Sequence, residues 1–159
     1  MLQTAILASW SLVKRVPNLF LSTLDERNGF PDARILFNLR VARPQCFSSG
    51  ASALPHGFST WIATNTSSAK VRQLRADRRA SLYYADAANF EGLTVQGEFT
   101  EILDPAIRAG IWTDGWQMFY PGGLEGGDFS VFRFQPLRAR YYHGLAVTAF
   151  DPQVLPELA

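Results

Sequence analysis

The chain has 159 residues, enough for one domain that buries about 68–70% of the surface its unfolded form exposes, and two independent cores are not expected. Hydrophobic residues make up 47% and charged residues 18%, which excludes a disordered chain, while 15 basic against 14 acidic side chains give no electrostatic case for nucleic acid as partner. A lone cysteine, Cys46, excludes an internal disulfide and suits a reducing, cytoplasmic location, and two histidines, His56 and His143, are too few for a histidine-built metal site.

Residues 1–16 read as a packing helix: Leu2, Ile6, Trp10 and Val13 recur on one stripe, and Pro17 follows. Lys14 and Arg15 come after the apolar stretch, the reverse of a secretion signal. No run reaches the roughly 18 apolar residues of a membrane span, so neither export nor a membrane is expected. Asn18 to Leu24 is a β-favouring run, and Asn28-Gly29 marks a hairpin turn into a second strand over Ala33 to Val41. Alternation puts Ile35, Phe37 and Leu39 on one face of that strand and Arg34, Leu36, Asn38 and Arg40 on the other. Arg43 to Gly57, rich in Ser, Pro and Gly, reads as an irregular loop.

A third strand is expected over Phe58 to Thr64 and a short helix over Ser67 to Ala76. Ser81 to Tyr84, Leu93 to Ile102 and Phe129 to Tyr142 complete six strands, with Pro105 after Asp104 opening a helix towards Trp112. Residues 151–159 read as a tail. The whole, 1–159, is expected to form a single mainly β unit, antiparallel because tight turns join its strands, and closed into a small barrel that removes exposed edges.

The segment from Trp61 to Lys70, W-I-A-T-N-T-S-S-A-K, carries the chemistry. A strand runs into a helix start there and delivers hydroxyls from Ser67 and Ser68, free backbone N–H groups and the Lys70 ammonium to one small region. With a guanidinium such as Arg34, these groups answer the charge of a phosphate monoester. Serines also cap ordinary helices, and both readings stand at this level.

The sequence resembles the pyridoxamine-phosphate-oxidase-like FMN-binding split barrels, in their general-stress-protein-26-like branch. The resemblance runs over roughly residues 18–144. It is carried by G-F-P-D-A-R-I-L around Arg34, W-I-A-T-N-T-S-S-A-K-V-R-Q-L through Lys70, A-S-L-Y-Y-A-D, V-Q-G-E at Gly97, and W-T-D-G-W-Q-M-F-Y-P-G-G. It implies a homodimer that holds FMN at the subunit interface, with Arg34, Lys70 and Ser68 on the flavin phosphate and Ile35, Ala63 and Thr64 along the ribityl chain and ring. It also implies an oxidoreductase whose flavin supplies the redox chemistry; a non-catalytic flavin-binding stress or sensor protein, or a deazaflavin or haem in the same groove, stay open. Three places depart from the vitamin oxidases proper. Ala69 stands where they carry a basic residue, Gly92 where they carry a glutamine, and A-R-Y-Y-H-G where they grip the substrate phosphate, so turnover of pyridoxamine phosphate is not expected. With no dinucleotide fingerprint present, reduced nicotinamide is not the expected reductant either.

Trp112, Trp116, Phe119 and Tyr120, read as helix-spaced aromatics, are expected in a core or dimer contact, with Trp112 and Trp116 held as lining candidates for the substrate site. The glycines at 122, 123, 126 and 127 read as a turn, and Arg72, Arg75 and Arg79 as a solvated face. Cys46 with His56 lacks a third group to make a nucleophile, His143 is read as structural, and no metal-ligand spacing emerges.

Overall fold

The structure, a computed structural model, describes residues 1–48, 50–51, 54 and 57–153. Four helices, α1 (Leu2–Arg15), α2 (Leu39–Ala42), α3 (Ala69–Ala76) and α4 (Pro105–Ile111), surround seven strands: β1 (Asn18–Leu24), β2 (Pro31–Phe37), β3 (Thr60–Asn65), β4 (Arg79–Asp86), β5 (Glu91–Ile102), β6 (Phe129–His143) and β7 (Ala146–Phe150). All neighbours pair antiparallel in the order β2-β1-β4-β5-β6-β3, and β7 joins β6 beside β3. The six expected strands are therefore seven. Residues 146–150, too short to stand out from the tail, become a strand because Gly144, at φ +57°, turns the chain back along β6 and buries Phe150.

β2 ends at Phe37, four residues before its expected end, because Asn38 takes three jobs there. Its side chain accepts from Arg40 N–H and caps α2, while its Nδ2 donates to the carbonyls of Val13 and Val16 at 2.8 Å each. Those carbonyls belong to the end of α1, so one fully buried amide closes one helix and opens another. The buried stripe of α1 is Ala5, Ile6, Ser9, Leu12 and Val13, and Leu2, expected on it, is exposed. The first hairpin forms where Asn28-Gly29 marked a turn, with Gly29 alone of the pair at positive φ (+77°) and donating to Asp25 O, in a connection from Leu24 to Pro31 that is longer than a tight two-residue turn.

The core has two clusters rather than one. Leu19, Leu21, Leu82, Val95, Phe132 and Phe134 fill the barrel under α1, while Trp61, Ile111, Tyr120, Phe129 and Val131 pack outside it. Both use the β3–β6 pair, whose consecutive residues Trp61-Ile62 and Val131-Phe132 are buried on opposite faces, so they are two sides of one sheet. At Gln96/Gly97 the β5–β6 register slips by one residue, and a Cβ on Gly97 would lie 2.1 Å from the Gln135 carbonyl. The bulge presents Leu137, half exposed, on the outer face.

The Asn38 amide supports a direct prediction. Asn38→Ala leaves two buried carbonyls without donors and lowers stability by about 2–4 kcal/mol, read as a shift in urea midpoint at unchanged m-value.

Candidate functional site

Among the described residues, the end strands of the sheet, β2 and β3, form no ladder with each other, so the barrel is split along that seam. A groove of about 270 Å3 opens at the seam. One wall is Ile35, Leu36 and Phe37 of β2, the other Ile62 to Asn65 of β3, with Trp116, Phe119, Tyr120 and Lys70 around them. The only titratable side chains in that lining are Lys70 and Tyr120, and burial pushes the Tyr120 phenol up to about 12. A groove with this lining offers flat apolar surface and one ammonium, without an acid or base poised near neutral pH.

Lys70 sits in the first turn of α3, half buried, with no ion-pair or hydrogen-bond partner among the described residues. Burial, together with the nearby Arg34 charge, holds its ammonium below the ordinary 10.5. Ser68 occupies the N-cap position of α3, yet its Oγ caps nothing: it is buried without a hydrogen-bond partner. An orphaned hydroxyl and an unpaired ammonium at one helix start form an anion-binding arrangement.

Arg34 is differently placed. It lies on the inward-leaning face of β2, opposite to Ile35, as alternation predicted. Its Nη1 donates to Thr23 Oγ1 at 2.6 Å, and its Nη2 to Asp32 Oδ2 at 2.8 Å and Gln73 Oε1 at 2.7 Å. Gln73, fully buried on α3 one turn beyond Lys70, also accepts from Thr23 and donates to Asp32. Burial pulls the Arg34 guanidinium below its usual pKa, with Asp32 opposing.

The turn between β3 and α3 is held from the start of the neighbouring strand β6. Asp128, which precedes β6, accepts Ser67 N–H on Oδ1 and Asn65 Nδ2 on Oδ2, each at 2.9 Å, and its carbonyl accepts Thr66 N–H at 2.9 Å. Asn65 Nδ2 also donates to the Phe119 carbonyl at 3.0 Å, tying the turn to the aromatic wall. Ser67 is thus exposed and turned to Asp128, whereas Ser68 faces the protein interior. Ile35, Ala63, Thr64 and Lys70 line the groove together. Trp116 lines it too, while Trp112 stands behind in the cluster, 5.1 Å from the Phe129 ring and 6.2 Å from Trp116. These aromatics do not share a helix as expected: α4 ends at Ile111, and Trp116–Met118 is a separate 3-10 turn.

Asp32, Asn65, Gln73 and Asp128 were not foreseen. Their partners lie 39 to 63 residues away, except for the Asp32–Arg34 pair, and no local pattern marks them. The glycine turn is a close crossing: a Cβ on Gly126 would lie 2.3 Å from the Gly122 carbonyl. Arg72 pairs with Glu26, Arg75 with Glu101 and Arg79 with Asp77, the solvated face expected of them. Cys46 is buried and its thiol donates to Gly110 O; His56 lies outside the described residues. His143 pairs in the sheet with Glu91 and Ala146, away from the groove lining. Arg140 is exposed, its guanidinium over the Tyr142 ring. Among the described residues no cluster of metal-ligating side chains occurs, and no helix is long and apolar enough to cross a membrane. At Gly92, an added Cβ would lie 2.2 Å from the Tyr83 hydroxyl, so the Tyr83 side chain fills the space that a larger residue there would need.

The chain is an antiparallel barrel split at one seam, with an apolar groove beside the helix start that carries Ser68 and Lys70. The family model described as pyridoxamine 5'-phosphate oxidase matches residues 10–143, and the chain belongs to that family, in its general-stress-protein-26-like branch. A Clostridium acetobutylicum protein related to general stress protein 26, of the pyridoxinephosphate oxidase family, is 25% identical at TM-score 0.74, with 95% of this chain and 96% of that one covered. General stress protein 26 from Bacillus anthracis, 13% identical at TM-score 0.65 over 94% and 98%, shares the fold. So does a heme binding protein from Mycobacterium smegmatis, 14% identical at TM-score 0.56, over 96% of this chain and 57% of that one. No curated protein matches the chain.

The Asp128 carboxylate carries a pH dependence. Its bonds from Asn65 first and then from Ser67 hold its pKa below the ordinary 3.8, so the stability it confers is present above 3.8 and lost as pH falls through the folded value. In Asp128→Asn the urea midpoint is expected to fall less steeply over that acid range than in the parent, and parallel acid limbs would refute the assignment.

Proposed function

We propose that this protein binds FMN in the β2–β3 groove and acts as a flavin-dependent oxidoreductase on a small substrate. The observation that carries the reading is the pairing of buried, unpartnered Ser68 Oγ with unpaired Lys70 at the start of α3, directly beside an apolar groove. A flavin mononucleotide has the matching halves: a phosphate near two negative charges and a flat ring system. Ser68, Lys70 and Arg34 would hold the phosphate, and Ile35, Ala63 and Thr64 would flank the ribityl chain and ring. When bound, the flavin supplies hydride or electron transfer, which suits a lining without an acid or base near neutrality. The protein's part is to hold the phosphate, exclude water from the ring face and orient the ring against the aromatic wall.

The same reading includes a homodimer. On the outer face Ile35, Phe20 and Tyr83 are direct cross-strand neighbours, exposed by 58%, 40% and 40%, and Phe37 beside them by 62%. Such a row is larger than the scattered apolar residues of an ordinary surface and is continuous with the groove through Ile35. An open hollow of about 730 Å3 lies on the same face, over Ser22, Ser81 and Gln96, beside the Leu137 bulge. A second copy of the chain is the occupant that fits a hollow and a protruding leucine side by side.

Two outcomes are expected. FMN titrated into flavin-free protein binds tightly and riboflavin poorly, and Lys70→Ala weakens FMN by about one to two decades without affecting the fold; equal affinity for parent and variant overturns the phosphate assignment. Light scattering gives the parent twice the 17.7 kDa chain mass and Phe20→Glu the single mass; a parent that is monomeric at all concentrations overturns the dimer.

A further inference from the structure

Arg34 is the second cation near the α3 start, but the protein itself already occupies it. Three acceptors, Thr23 Oγ1, Asp32 Oδ2 and Gln73 Oε1, take its two terminal nitrogens. Two of these are neutral and buried, Thr23 at 2% and Gln73 at 0% exposure, and they take two of the guanidinium's five N–H donors. The third is a carboxylate, with 47% of its side chain exposed against 20% for Arg34. An ion pair so open contributes little to stability, because water screens it and two side chains must be held still. Its consequence is electrostatic: it neutralises one of the two cations available to an anion, and adds a like charge where that anion would sit. Lys70, by contrast, has no such partner, and its pKa responds to burial and to Arg34.

We propose that Asp32 is a resident counter-anion of the phosphate site, a specificity-determining residue whose carboxylate competes with the ligand's phosphate for Arg34. The inference rests on the FMN reading above and adds to it the direction in which one side chain acts. Gln73 is the frame for this competition: it accepts from Arg34 and donates to Asp32 at 3.1 Å, holding both in reach of α3. With Asp32 in place the site binds a phosphate monoester mainly through Lys70 and Ser68. Removing the carboxylate frees an Arg34 donor and lifts a repulsion, and both effects have the same sign. The expected consequence is a gain of function: loss of an acidic residue tightens binding of the phosphorylated flavin and leaves the dephosphorylated one unchanged.

The test is fluorescence titration of flavin-free, full-length protein with FMN and with riboflavin, in the parent, Asp32→Asn and Asp32→Ser. Asp32→Asn removes the charge while an amide oxygen can still accept from Gln73 and Arg34, and Asp32→Ser removes the acceptor from reach of Arg34 as well. Both are expected to bind FMN about fivefold more tightly, with riboflavin affinity and the urea midpoint at their parental values, and with the gain shrinking as salt is raised. A role confined to structure would move both flavins together. A parent that prefers FMN, with variants that bind it equally or more weakly, overturns the role of Asp32 and leaves the phosphate site standing. A parent that does not distinguish FMN from riboflavin overturns both.

Discussion

The architecture depends on one strand having two partners on one edge. β6 runs for 15 residues against β5, and its other edge is given first to β3 and then to β7. A strand of that length cannot stay flat, and the slip at Gln96/Gly97 lets it bend. Because β7 takes the far half of the edge, β3 is confined to the near half and ends in the turn that starts α3. Because β3 ends the sheet on one side and β2 on the other, the seam between them is left without a ladder, and the groove lies there. The functional geometry is thus a by-product of how the barrel fails to close.

Polar side chains on both sides of that seam do the fine positioning. Asn38 locks α1 to the end of β2; Asp128 and Asn65 lock the start of α3 to β6 and to the aromatic wall; Gln73 locks α3 to Arg34. Asn38 and Gln73, both fully buried, are each satisfied at several atoms, which makes them stabilising rather than costly in a low-dielectric interior. Against this background the exceptions are informative. Among the described residues Ser68 Oγ has no partner and Lys70 no counter-ion, and Arg40 Nε, Arg43 Nε and Thr113 Oγ1 are likewise buried without a partner.

Membership of the family accounts for the frame, and this chain's departures describe what it does differently. Gly92 leaves room for the Tyr83 ring, which turns a strand position into part of the exposed aromatic row on the outer face. Arg140 lies on that outer side over Tyr142 rather than inside the barrel. Among the described residues, the groove lining therefore holds no cationic side chain besides Lys70.

By itself the sequence determined the elements whose cause is local. Period-two alternation separated Arg34 from Ile35, Asn28-Gly29 marked a hairpin turn, Pro105 after Asp104 started α4, and a strand running into Ser68-Ala69-Lys70 placed a cation at a helix start. The family resemblance added the split barrel, which spacing alone could describe only as a closed one. Tertiary structure decided everything whose cause lies far along the chain: that β2 stops at Phe37, since Asn38 answers carbonyls 22 and 25 residues away; that the short Ala146–Phe150 run pairs at all; and that Ser68 is orphaned while Ser67 is taken by Asp128, 61 residues on. A hydrogen bond between distant residues leaves no periodic trace in the sequence, because a single side chain of the right type satisfies it and the neighbours on either side are free to vary.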